Sequence, residues 1–88
     1  MGWRIEQAEA FRHQVAQYTD AERAILAEAY RALLRHGPLP HPGSPLDIHR
    51  LRDPRAGDAY VLVLPRIVLG YQALGEVIVA QAADVIRA

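Results

Sequence analysis

The residues best equipped for chemistry cluster at His49, Arg50, Arg52 and Arg55, and the fold could bring Arg66 near them in space. An imidazole moves protons near neutral pH, and a guanidinium fork grips phosphate oxygens in pairs. Together they are the kit of a metal-free ribonuclease. Asp47, Asp53 and Asp58 lie in the same segment and neutralise it. An exposed ion-pair cluster is therefore the competing reading.

Other chemistries lack parts. There is no cysteine, which removes disulfides, thiolate nucleophiles and zinc thiolates. Outside tyrosine the only hydroxyls are Thr19 and Ser44. Thr19 reads as a helix cap and Ser44 as part of the turn Pro42-Gly43-Ser44-Pro45, so no nucleophile is expected. His36, His41 and His49 have neither zinc-finger nor HExxH spacing, and no metal is expected. Gly70 to Gly75 has the glycine spacing of a phosphate loop, but Glu76 and Val77 stand where lysine and a hydroxyl belong. An acid there repels phosphate, and a hairpin turn explains Gly75. No cofactor is expected.

Composition sets the outer limits. The chain has 88 residues, enough for one small domain, and 51% of them are hydrophobic, so a packed core is affordable. Ten acids balance ten bases, against the cationic excess of a dedicated nucleic-acid binder. All ten bases are arginine; lysine and asparagine are absent, which reads as genomic base composition. No apolar run reaches the ~20 residues of a membrane span, and Met1-Gly2-Trp3-Arg4 does not open a secretory signal. The expected location is the cytoplasm.

The elements that would position these residues follow from periodicity. Trp3-Arg4-Ile5-Glu6 alternates as a short strand. Ala8, Phe11, Val15 and Tyr18 form one helical stripe. Thr19-Asp20-Ala21-Glu22 is a capping box opening a second helix, which ends near His36 at Gly37-Pro38. Residues 37–46 hold four prolines and two glycines, a stiff connection. Residues 46–52 suit a short edge strand, and 53–58 a turn. Strand-like runs follow at 60–64, 67–71 and 77–80. Their short links forbid parallel neighbours, so they form an antiparallel meander. The expected fold class is α+β: a strand, a helical hairpin, then an antiparallel sheet of three to four strands. The runs are apolar at nearly every position, which suggests that both sheet faces are at least partly covered.

That order of elements resembles the RelE/ParE superfamily of toxins, with the domain spanning 1–88. Trp3-Arg4-Ile5-Glu6 is similar to the family's opening strand. Residues 58–71, from Asp58-Ala59-Tyr60-Val61 to Leu69-Gly70-Tyr71, and residues 75–79, Gly75-Glu76-Val77-Ile78-Val79, are similar to its central hairpin and last strand. The resemblance implies the toxin-like half of a type II toxin–antitoxin pair. It would bind an antitoxin and inhibit growth through mRNA cleavage or DNA gyrase. In the nuclease version His49, Arg50, Arg52, Arg66 and Tyr71 would form a metal-independent site on mRNA or the ribosome. Ala82-Ala83-Asp84-Val85 stands where members often carry a basic His-Arg motif, and the family's hairpin arginines are mostly apolar here. These departures suit a degenerate or non-nucleolytic member. The alternative is a homodimeric structural or regulatory module of the same fold.

Overall fold

A computed structural model describes residues 2–52 and 58–86. The elements are β1 (Arg4–Gln7), α1 (Glu9–Ala16), α2 (Asp20–His36), β2 (Asp47–Arg50), β3 (Ala59–Val63), β4 (Ile67–Leu74) and β5 (Val77–Val85). They build one five-stranded sheet in the order β1-β5-β4-β3-β2. The fold is α+β, as the periodicities require.

Strands β2 to β5 are antiparallel neighbours. β1 adds to β5 in parallel, matching Arg4 with Val77 and Gln7 with Ala80. A parallel pair needs a long crossover, and nearly the whole chain supplies it. Two strands outrun their apolar runs. β4 continues to Leu74, and β5 continues through Gln81-Ala82-Ala83-Asp84-Val85. The register slips where Gly70 faces Ala82 and Tyr71 faces Ala80, so Gln81 is the extra residue of a bulge. Beyond it β5 still finds the first half of β4 to pair with, and partner availability overrides its weak strand composition.

The helices follow their caps. Thr19 Oγ1 accepts from the Glu22 backbone N–H at 3.1 Å, and the Glu22 carboxylate accepts from the Thr19 N–H at 2.8 Å. That reciprocity lets Glu22 be buried at the start of α2. Gly37 ends α2 at φ 86°, a conformation that disfavours any residue with a Cβ. Phe11, Leu26, Ala29 and Leu33 pack from the helices onto one sheet face. That face is built by alternation from Leu62 on β3, Ile67, Leu69 and Tyr71 on β4, and Ile78 and Ala80 on β5. Pro38 is also buried, and its carbonyl accepts the Tyr71 hydroxyl at 2.6 Å, pinning the proline-rich connection over the core.

The second face carries the intervening residues. Val61 and Val63, Val68 and Gly70, and Val77 and Val79 are half-buried there, and neither helix covers them.

Candidate functional site

The sheet sorts the candidate residues by strand parity, and it separates them. His49 lies on β2, paired with Val61 and therefore on the outer face. Its Nε2 is 2.7 Å from Asp47 Oδ1, two residues back on the same side. Both side chains are exposed. Arg50 lies at the same edge, and its Nη2 donates to Asp58 Oδ1 at 3.2 Å. Arg52 follows, exposed, beyond the end of β2. Arg55, Asp53 and most of the turn expected at 53–58 lie outside the described residues.

Arg66 and Tyr71 are placed elsewhere. Arg66 is in the β3–β4 turn, where its carbonyl accepts from the Ile86 N–H at 2.8 Å. His49 is level with Val61 and Arg50 with Tyr60. At ~3.4 Å per residue Arg66 is therefore roughly 15 Å further along the sheet. Tyr71 points into the core on the helix side, 2% exposed. Its ring stacks against Tyr60 with centroids 5.9 Å apart, and its hydroxyl is committed to Pro38. Burial, with Tyr60 beside it, pushes the phenol above its ordinary range. A phenol held neutral on the far side of the sheet cannot share a phosphate with His49. Of the five residues, His49, Arg50 and Arg52 share the β2 edge, but pairing turns His49 to the outer face with Val61 and Arg50 to the helix side with Tyr60, so the imidazole and that guanidinium point apart.

Among the described residues no three His, Cys, Asp or Glu side chains are grouped so as to hold a metal ion, and no helix is long and apolar enough to cross a membrane. A groove of about 640 Å³ runs between the first turn of α2, the β3–β4 turn and the end of β5, lined by Thr19, Ile25, Pro65, Arg66 and Val85. Its walls are chiefly apolar, and it brings no second base to Arg66.

What the sheet does present is an open edge. The Leu51 N–H donates to the Ala59 carbonyl at 2.9 Å, which continues the β2–β3 ladder one residue past Arg50. In an antiparallel ladder the bonding residues alternate. Residues 47, 49 and 51 therefore bond to β3, while Ile48 and Arg50 turn their N–H and C=O groups outward. β1 ends the sheet on the other side, but Gln7 is followed almost at once by α1. Both edge strands are four residues long. Alternation in 46–52 hints at an edge strand, but which of its backbone groups are free depends on its pairing. No protein-family model, curated protein or solved structure matches this chain.

Proposed function

We propose that the chain is the toxin-like member of a type II toxin–antitoxin pair, a cytoplasmic protein that works by binding. Its antitoxin adds an extended segment to the free β2 edge. The outward N–H and C=O groups of Ile48 and Arg50 carry this reading: they are an unfilled row of hydrogen bonds beside a buried side chain, Ile48. Strand addition is a common way for a sheet to take a peptide, with affinity from the backbone and specificity from alternate side chains. The dispersal of His49, Arg66 and Tyr71 supports the non-nucleolytic branch, with DNA gyrase as the target in preference to mRNA. The order of elements, strand, two helices, then antiparallel strands, fits the same reading.

The test is inducible expression with and without the product of the neighbouring reading frame. Growth arrest relieved by that product, with the two proteins co-purifying, is expected. Arg50→Pro deletes one outward N–H and no bond to β3, and should weaken capture by up to about tenfold, the loss of one backbone hydrogen bond. His49→Ala and Arg52→Ala should leave growth arrest intact and cellular mRNA uncut. Cleaved mRNA in the parent that is abolished in both variants would restore the nuclease reading. Neither arrest nor co-purification would remove the pair altogether.

A further inference from the structure

The open β2 edge carries a charge pattern that is its own complement. Ile48 and Arg50 turn their backbone N–H and C=O groups away from β3. A strand added there exchanges bonds with those two residues and leaves Asp47 and His49 at the non-bonded positions. Both lie on the outer face, level with Val63 and Val61. At non-bonded positions the Cα atoms of an antiparallel pair are only ~4.5 Å apart, so side chains opposite one another meet closely. An added antiparallel strand therefore does best with an acid opposite His49, an apolar residue opposite Ile48 and a base opposite Asp47. Read along its own chain, such a strand runs acid, apolar, base. Asp47-Ile48-His49 is that sequence.

We propose that this edge pairs with a second copy of itself, β2 antiparallel to β2, about a two-fold axis normal to the sheet beside Ile48. In that register Ile48 exchanges two backbone bonds with the partner's Ile48. The Arg50 N–H reaches the carbonyl of the partner's Leu46, twice over, which makes four bonds. Leu46 offers its carbonyl alone, because its N–H donates to Ser44 Oγ at 3.2 Å. A two-fold normal to the sheet keeps both outer faces on one side. Asp47 then stands opposite the partner's His49, and His49 opposite the partner's Asp47. His49 holds its own Asp47 through Nε2 at 2.7 Å, which leaves Nδ1 for the second carboxylate. Two carboxylates and two imidazoles alternate around the axis, while on the helix side the buried Ile48 meets the partner's Ile48. The register shifted by one residue also forms four backbone bonds, between Ile48 and the partner's Arg50. It sets His49 against the partner's His49 and Asp47 against the partner's Leu51, so the side chains select the first. Four residues a side is far below the roughly twenty to thirty of a standard interface, and the dimer is weak and reversible. It covers the backbone groups assigned above to the antitoxin segment. The two occupants exclude each other, and the self-pairing needs no antitoxin.

The test uses the purified chain alone. Sedimentation equilibrium from ~10 µM to ~1 mM should show a mass rising from 9.8 kDa toward twice that value. His49→Asp sets carboxylate against carboxylate twice, and Asp47→His sets imidazole against imidazole twice. Each should weaken association about tenfold. Both side chains are exposed, so neither change disturbs the core. The double variant Asp47→His with His49→Asp rebuilds both opposed pairs in reverse and should recover the parent's association. An equimolar mixture of the two single variants should do the same, because each complements the other and not itself. A parent that stays monomeric at ~1 mM overturns the proposal. So does association that neither single variant weakens, or a double variant and a mixture no tighter than the singles. Growth arrest relieved by an antitoxin while the parent chain is monomeric would leave the toxin–antitoxin reading standing and remove the self-pairing.

Discussion

The runs that build the middle of the sheet are apolar on both faces, and the two faces do different work. Along β4, Leu69 is fully buried while its neighbours Val68 and Gly70 are only half-buried. On β3, Leu62 is fully buried and Val61 half-buried. Both sides read as apolar, yet a helical pair can cover only one. The difference teaches that a run of hydrophobic residues shows what a strand could bury and leaves open what is there to bury it. Covered positions also hold the larger side chains, Leu, Ile and Tyr. Uncovered positions of β4 hold Val68, Gly70 and Gln72, which offer little apolar area.

Substitutions at neighbouring positions of β4 break this comparison most directly. Leu69→Ala removes a fully buried side chain between helix and sheet, and should cost about 2–5 kcal/mol in chemical denaturation. Should it cost no more than Val68→Thr, the two faces would be equivalent. Tyr71→Phe leaves the ring and removes the bond to Pro38, with an expected loss of about 1–2 kcal/mol.

The same tyrosine gives a pH signature. Its folded pKa is raised by burial, so folded and unfolded chains are both protonated below the unfolded value near 10, and its full contribution is present there. Above that pH only the unfolded chain releases the proton. Stability then falls by up to about 1.4 kcal/mol per pH unit until the folded phenol also ionises. Tyr30, pushed up to about 12 chiefly by burial and only partly offset by the hydrogen bond from Gln7, adds to the fall in the same direction. Denaturation midpoints between pH 9 and 11 should therefore decline less in Tyr71→Phe than in the parent (the expected difference follows from about one titrating group).

Smaller effects sharpen the contrast. Gly70→Ala should stabilise the chain by about 0.5–1 kcal/mol, because it removes backbone freedom without a clash. A loss of stability there would mean that the fold does need this glycine. Val68→Thr on the half-buried face should change stability by no more than about 0.5 kcal/mol under the same conditions.

The candidate site was legible residue by residue but not as an assembly. His49, Arg50 and Arg52 adjoin in sequence and stay on one edge, but strand alternation turns His49 and Arg50 to opposite faces. Parity put Tyr71 on the helix side of the sheet, away from His49. In Ile67-Val68-Leu69-Gly70-Tyr71 every second residue faces the helices, and Tyr71 falls on the side of Ile67 and Leu69. An apolar run without polar alternation hides which side that is. Arg66 was separated by length along the hairpin, which no spacing in sequence encodes.

Local rules were enough for the sequence by itself to determine the elements: the helical stripes, the Thr19–Glu22 capping box, the Gly37 stop and the short links that force an antiparallel meander. Those are interactions among residues a few positions apart, and their energetics are present in any stretch of chain that contains them. Only the tertiary structure decided the parallel union of β1 with β5, the length of β5, the side each strand turns to the helices and the backbone groups left free on β2. Each of these depends on which partner a strand meets across the sheet, and that choice is made by the burial of Phe11, Leu26 and Leu33 against residues far away in the chain.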